Sequence, residues 1–248
     1  MELSRTLGLA LHGPLQSWGA HSKLGVRETG PTPTRSGVLG MVRAALGDPR
    51  DGDQELLSAL DRVELAVRVD RPGDLVRDLH NTTAGPAFKA TGTAYAETIM
   101  SVRWYLSDAA FLVVMAVPEP DEAGLVDRIA AALEHPRWHL CLGRRSCPPT
   151  EPFTLGVVPV HPLDVLCTAP VMCSGGPPEH LSVALSGALA AEAARRGWDP
   201  TVGSTSMTRP LPGRRWAADV VSGFRLPNVE IVGADPTGLA QWFQEART

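Results

Sequence analysis

Leucine alternates with small or polar residues across Leu7-Gly8-Leu9-Ala10-Leu11-His12, the period of a strand with one strongly apolar face. We place this first strand over Leu3–His12 and a long loop over Gly13–Thr34. The period then changes. Val38, Leu39, Val42 and Leu46 recur at helical spacing, which predicts a helix over Ser36–Leu46, capped by Thr34 or Ser36 and stopped by Gly47. A short helix at Gln54–Leu60 runs into a strand over Arg62–Asp70, where Val63, Leu65, Val67 and Val69 alternate with other residues. Between Asp74 and Tyr105 no apolar period is sustained, and an insertion of that length in a compact domain is either functional or disordered. Regularity returns with a nearly all-apolar strand at Ala109–Val117. An amphipathic helix over Asp121–Glu134 follows, striped by Leu125, Ile129, Ala132 and Leu133, and then a strand at Trp138–Leu142.

To about Gly156 this order is βαββαβ with an insertion, an α+β arrangement of the ferredoxin-like plan that RNA-recognition-motif (RRM-like) domains also use. The rest is less regular. A proline- and glycine-rich stretch at Gly175-Gly176-Pro177-Pro178 leads to a small-residue helix over Leu181–Arg196, a strand over Trp216–Leu226 and a polar end. The expected organisation is a first domain over residues 1–160, interrupted at about 74–106, and a smaller C-terminal lobe over 161–248, with no internal repeats. With 248 residues, 44% of them hydrophobic, core material is ample for this plan.

The formal net charge of −4 argues against a general nucleic-acid coat, but the charges are unevenly placed. Arg5, Lys23, Arg27, Arg35 and Arg43 face only Glu28 between Ser4 and Gly47. Arg137, Arg144 and Arg145 share an acid-free segment, as do Arg209, Arg214 and Arg215. Cys141, Cys147, Cys167 and Cys173 form two Cys-x5-Cys pairs, a spacing unlike that of a zinc ribbon, so reduced thiols and no metal are expected. No apolar run approaches the ~20 residues of a membrane span, and Met1-Glu2-Leu3-Ser4-Arg5 is not a signal peptide, so a cytoplasmic location with no membrane partner is expected.

Three segments carry chemistry. In Gly13-Pro14-Leu15-Gln16-Ser17-Trp18-Gly19 a tryptophan stands among loop formers, which suggests an exposed ring for stacking or a partner; filling a core gap is the alternative. Pro31-Thr32-Pro33-Thr34-Arg35-Ser36-Gly37 is a helix entry whose N–H groups and arginine favour an anion, while Gly37 and Gly40 leave the helix face bare. Gly143-Arg144-Arg145-Ser146 combines charge and a hydroxyl suited to a phosphodiester. His80, Lys89, Tyr95 and Tyr105 could serve a metal-free ribonuclease, though nothing in their spacing demands it. Phosphate-loop and Gly-x-Ser-x-Gly motifs are absent.

The first of these segments, then Arg27-Glu28-Thr29, Pro33-Thr34-Arg35-Ser36-Gly37-Val38-Leu39-Gly40 and Leu142-Gly143-Arg144-Arg145-Ser146-Cys147-Pro148, resemble in order the fifth family of CRISPR-associated (Cas) proteins, in its type I-E Cascade form. The resemblance extends to about residue 160 and places the insertion where that family has a thumb, with Glu97-Thr98-Ile99 and the stretch from Arg103 to Ala109 like its return limb. It implies a non-catalytic, cofactor-free, RNA-binding subunit of a ribonucleoprotein for antiviral defence. Such a subunit caps the crRNA 5′ handle and contacts the backbone subunit CasC and the large subunit CasA, with target DNA in the same complex. Carried over residue by residue, Arg27, Arg35, Ser36, Arg144 and Arg145, with Ser146, are expected at handle phosphates. Gln16 and Trp18 would shape the handle pocket, and His80, Lys89 and Arg103 would lie at or along the thumb. Type I-C relatives cleave pre-crRNA, which makes a metal-independent endoribonuclease the alternative.

Overall fold

The computed structural model describes residues 3–19, 22–23, 25–49, 52–82, 99–121, 124–173, 180–211, 215–227 and 232–247. In chain order the first half comprises β1 (Thr6–His12), β2 (Leu15–Gln16), β3 (Ser22–Lys23), β4 (Val26–Arg27), α1 (Arg35–Leu46), α2 (Gln54–Asp61), β5 (Glu64–Arg71), β6 (Asp74–Thr82), β7 (Ile99–Ser107), β8 (Ala110–Ala116) and α3 (Leu125–Glu134). The second half comprises β9 (Thr154–Val158), α4 (Pro162–Thr168), β10 (Val171–Met172), β11 (Ser182–Ser186), α5 (Gly187–Arg195), β12 (Asp199–Leu211), β13 (Arg215–Arg225), β14 (Gly233–Ala234) and α6 (Pro236–Glu245).

The main sheet has seven strands in the order β12-β13-β11-β5-β8-β1-β9, every neighbouring pair antiparallel. β1 lies between β8 and β9, with Leu7 opposite Met115 and Leu11 opposite Phe111. Both β1 and β8 are buried along their whole length, because helices cover both faces of the sheet. Alternate residues supply the two cores. Leu7, Leu9, Leu11, Leu65, Val67, Phe111, Val113 and Met115 belong to one, with Val38, Leu39 and Val42 of α1 and Leu125, Ile129 and Leu133 of α3. Ala10, Ala66, Leu112 and Val114 belong to the other, with Leu163 and Leu166 of α4, Leu189 of α5 and Phe243 of α6. Gly8 admits α6 to this second face, since a β-carbon there would lie 2.3 Å from the Phe243 ring.

Residues beyond 161 therefore extend the same sheet through β11, whose Ala184 pairs with Val67 of β5. The junction is fastened by a buried ion pair. Arg68 and Asp70, two apart on β5, have fully buried side chains 2.6 Å apart. All five Arg68 N–H donors are used. Nε and one Nη2 hydrogen go to the Asp70 carboxylate, and the others reach the carbonyls of Leu166, Ala169 and Pro170 at the C-terminus of α4. Asp70 also accepts from the Met172 amide.

A smaller sheet gathers at the other side of β7, with path β2-β7-β4-β3 and β6 paired along β7 from Asp74 opposite Ser107 to Thr82 opposite Ile99. The insertion between Asp74 and Tyr105 thus contributes two strands where the sequence lacked an apolar period. The strand expected at Trp138–Leu142 is absent. That segment instead donates the Arg137 and Trp138 amides to the Ala45 and Ala44 carbonyls, closing the C-terminal end of α1, and β9 occupies the sheet edge. The helix expected over Leu181–Arg196 begins as β11 and becomes helical only at Gly187.

Replacing Arg68 with methionine strands the Asp70 carboxylate in the core. We expect Arg68→Met to lower the unfolding free energy by about 3–5 kcal/mol, read from the urea midpoint. A midpoint within error of the native chain would contradict this account of the junction.

Candidate nucleic-acid interface

Four segments distant in sequence meet beside the N-terminus of α1. The Ser17 amide donates to the Leu142 carbonyl at 3.0 Å and its hydroxyl to the Trp104 carbonyl at 3.3 Å. The Trp18 amide donates to the Thr29 hydroxyl at 2.8 Å, and the Gly30 amide to the Trp18 carbonyl at 2.6 Å. β4 runs parallel to β7 with Arg27 beside Arg103. The turn from Leu142 to Cys147 closes on itself through the Leu142 amide and Cys147 carbonyl, 2.7 Å apart. Gly143 sits in this turn at φ +90, and a β-carbon there would lie 1.8 Å from the Ser17 carbonyl oxygen, so only glycine permits the approach of turn and loop.

Between these segments lies a pocket of about 480 Å³, lined by Ser17, Trp18, Gly19, Arg27, Glu28, Thr34, Ser36, Gly37, Arg103, Gly143 and Arg144. Thr34 caps α1 by accepting from the Gly37 amide at 3.2 Å, and no acid stands in the first turn, so the positive end of the helix faces this space. Arg144 is held rigidly. It donates to the Trp104 carbonyl at 3.2 Å, to the Arg27 carbonyl at 2.9 Å and to the Glu28 carbonyl at 3.5 Å, and stacks 4.7 Å above the Tyr105 ring. Burial alone would raise the Tyr105 phenol, but Ser146, Arg144 and Arg103 surround it with donors and hold it below its ordinary value.

Several arginines outside the pocket carry ion pairs. Arg5 pairs with Asp127, Arg43 with Asp48, Arg71 with Asp108, and Arg195 and Arg196 with Glu192. Among the described residues, Arg27, Arg103, Arg144 and Arg145 have no carboxylate within ion-pair distance, although Glu28 lies on the pocket wall. A rigid concave site with unmatched guanidinium groups and a helix N-terminus is suited to an anion of phosphate type.

A family model described as CRISPR-associated protein (Cas_Cas5) matches residues 6–200. The chain belongs to the Cas5 family of CRISPR-associated proteins. Over 159 residues it is 38% identical to the CRISPR system Cascade subunit CasD of Escherichia coli (strain K12), covering 60% of this chain and 69% of that one. A chain solved in a CRISPR RNA-guided surveillance complex gives a TM-score of 0.70 at 28% identity, covering 97% of this chain and 99% of the other. A crystal structure of a Cas protein gives 0.65 at 34% identity, covering 93% and 99%.

In this Cas5 chain the residues singled out by sequence divide into two groups. Arg27, Ser36, Arg103 and Arg144 line the pocket, and Arg145 and Ser146 are exposed on the same turn. The others are a different case. Trp18, expected as an exposed ring, is 1% exposed and part of the core, its ring edge against Gly37. Burial of the indole is possible because its N–H donates to the Gln16 amide oxygen at 3.0 Å. Gln16 is itself buried and donates to the Leu11 and Ala109 carbonyls, so it supports from behind the wall that Trp18 lines. Arg35, expected at a phosphate, is also buried. It reaches the Leu60, Asp61 and Val63 carbonyls and closes the C-terminal end of α2. His80 pairs with Asp78 on β6, and Lys89 and Tyr95 lie outside the described residues. The pocket also uses Ser17 and Thr34, which sequence reasoning did not assign to it. Tyr105 was considered only as a catalytic group, although its period-two spacing from Arg103 on a strand signals a shared face.

Gln16→Leu removes the acceptor for a buried indole and the donors for two carbonyls. We expect a loss of about 1–3 kcal/mol of stability, measured by denaturant unfolding followed by tryptophan fluorescence. An unchanged midpoint would remove Gln16 from this supporting role.

Proposed function

We propose that this chain is a non-catalytic subunit of a crRNA-guided Cascade complex that caps the 5′ handle of the crRNA. The frame made by β1, α1, β5, β8, α3 and β9 then serves as a ferredoxin-like palm, and the β6–β7 hairpin as its thumb. The observation that carries the reading is the pocket of unmatched cations in a Cas5-family chain, where Arg27, Arg103, Arg144 and the start of α1 converge. Phosphate contacts of this kind fix the register of an RNA end without reading its sequence, which is left to base pairing by the guide.

The hairpin extends this site. Its register puts Arg103 and Tyr105 on one face with Asp78, and Val102 and Trp104 on the other with Leu79. Leu75, Leu79 and Met100 are 59%, 50% and 60% exposed, and this second face is suited to lie against a neighbouring protein subunit. In the proposed assembly that neighbour is CasC, with CasA adjoining the palm and target DNA held in the same particle. Among the described residues, the pocket lining holds arginines and hydroxyls suited to binding a phosphate.

Arg27→Ala and Arg103→Ala should each weaken binding of the full chain to a repeat-derived RNA end. Each should also reduce the slope of log affinity against log salt by about 0.7–1, measured by anisotropy. The double variant should fail to co-purify with crRNA and partner subunits; native assembly by it would defeat the reading. Repeat RNA incubated with the protein in chelator should stay intact, and site-specific cleavage lost in His80→Ala would favour the enzyme instead.

A further inference from the structure

The cations of the pocket share one neighbour that does not itself line it. Tyr105 is 3% exposed, and β7 places it two residues from Arg103 on the same strand face. Arg144 stacks over its ring at 4.7 Å while backbone carbonyls from two strand regions take three of that guanidinium's five N–H donors. Two donors remain that no carbonyl takes. Arginine side chains otherwise carry rotamer entropy that an anion would have to overcome on binding. A buried ring beneath the guanidinium removes that freedom before the ligand arrives.

We infer that Tyr105 is the positioning residue of this site, seating Arg144 with its ring so that the remaining guanidinium donors are held ready for an RNA phosphate. The inference rests on the RNA-binding reading above. Charged and titratable groups near the phenol are Arg103 on β7, Arg144 and Cys147 on the turn, Asp78 across on β6, and Arg27 and Glu28 on the strand and loop bonded to Arg144. Donors from Ser146, Arg144 and Arg103 outweigh burial and place the phenol below its ordinary value of 10. An ionised phenol adds a negative charge facing the two guanidinium groups, so RNA affinity falls as pH rises through the Tyr105 pKa. Burial pushes the Cys147 and Cys141 thiols up, making them the other groups at this turn that titrate on the alkaline side.

The test uses the full chain and a fluorescein-labelled single-stranded RNA with a repeat-derived 5′ end, its affinity measured by anisotropy from about pH 7 to about pH 9.5. The native chain should lose affinity with rising pH, and Cys147→Ala should follow it. Tyr105→Phe keeps the ring, and so should stay within about 3-fold of native affinity at neutral pH and lose the alkaline fall. Ionisation of the RNA bases affects every variant alike and cancels in this comparison. Tyr105→Leu should bind about 10-fold more weakly at neutral pH, with folding checked by its thermal midpoint. An alkaline fall retained by Tyr105→Phe, or native affinity in folded Tyr105→Leu, overturns the inference; if the leucine variant does not fold, the phenylalanine profile decides. Arg27→Ala/Arg103→Ala on the same RNA separates the two readings. Native binding by it removes RNA binding at this pocket altogether, whereas weak binding with native-like Tyr105 variants removes only the positioning role.

Discussion

A guanidinium group with all five N–H donors engaged, in a place no water reaches, is the condition on which the two halves of this fold meet. Arg68 projects from β5 onto the face of the sheet opposite α1, where its charge is met by Asp70 and its remaining donors by the carbonyls that end α4. Two buried charges are costly to desolvate, and the arrangement is tolerable because every guanidinium proton has a partner and the carboxylate accepts three hydrogen bonds. In return the clamp admits one relation between β5 and α4, and a slip of one residue would carry the pair off the carbonyls of Leu166, Ala169 and Pro170 and off the Met172 amide. β11 then finds its place on the outer edge of β5, and the C-terminal helices cover the second face of β1 and β8.

What could be read from the sequence follows from how locally each feature is encoded. β1, α1, β8 and α3 announce themselves because their periodicity and caps lie within the element. The edge strand was placed too early because Trp138-His139-Leu140-Cys141-Leu142 alternates as a strand does, while its backbone is claimed by the carbonyls of α1. Trp18 misled for a related reason. Glycine, proline and serine around it describe a loop, but burial is decided by Gln16, Thr29 and Gly30, which meet it only in three dimensions. Arg35 shows the same limit with the opposite sign. An arginine at a helix start favours an anion on paper, yet the exposed carbonyls at the end of α2 are closer and already fixed.

The candidate site inverts the usual relation between side chain and scaffold. Its most constrained cation, Arg144, ties the 142–147 turn to β7 and to the end of β4 through backbone carbonyls, so it builds the wall that it decorates. Arg27 and Arg103 stand side by side on the neighbouring parallel strands, and both line the pocket. An acidic protein overall thus gathers several guanidinium groups in one framed place, an arrangement suited to a specific anion without general attraction to nucleic acid.

The central position of β1 has a consequence for how the protein comes into being. β1 leaves the ribosome before both of its partners, β8, which begins at Ala110, and β9, which ends at Val158. Long-range pairings of this sort form slowly and cannot form at all until the later partner is synthesised. The pocket joins Ser17 to Leu142 and Gly143, so it is absent from every nascent chain shorter than that and appears together with the finished sheet. A half-made chain therefore lacks the pocket in which these guanidinium groups converge.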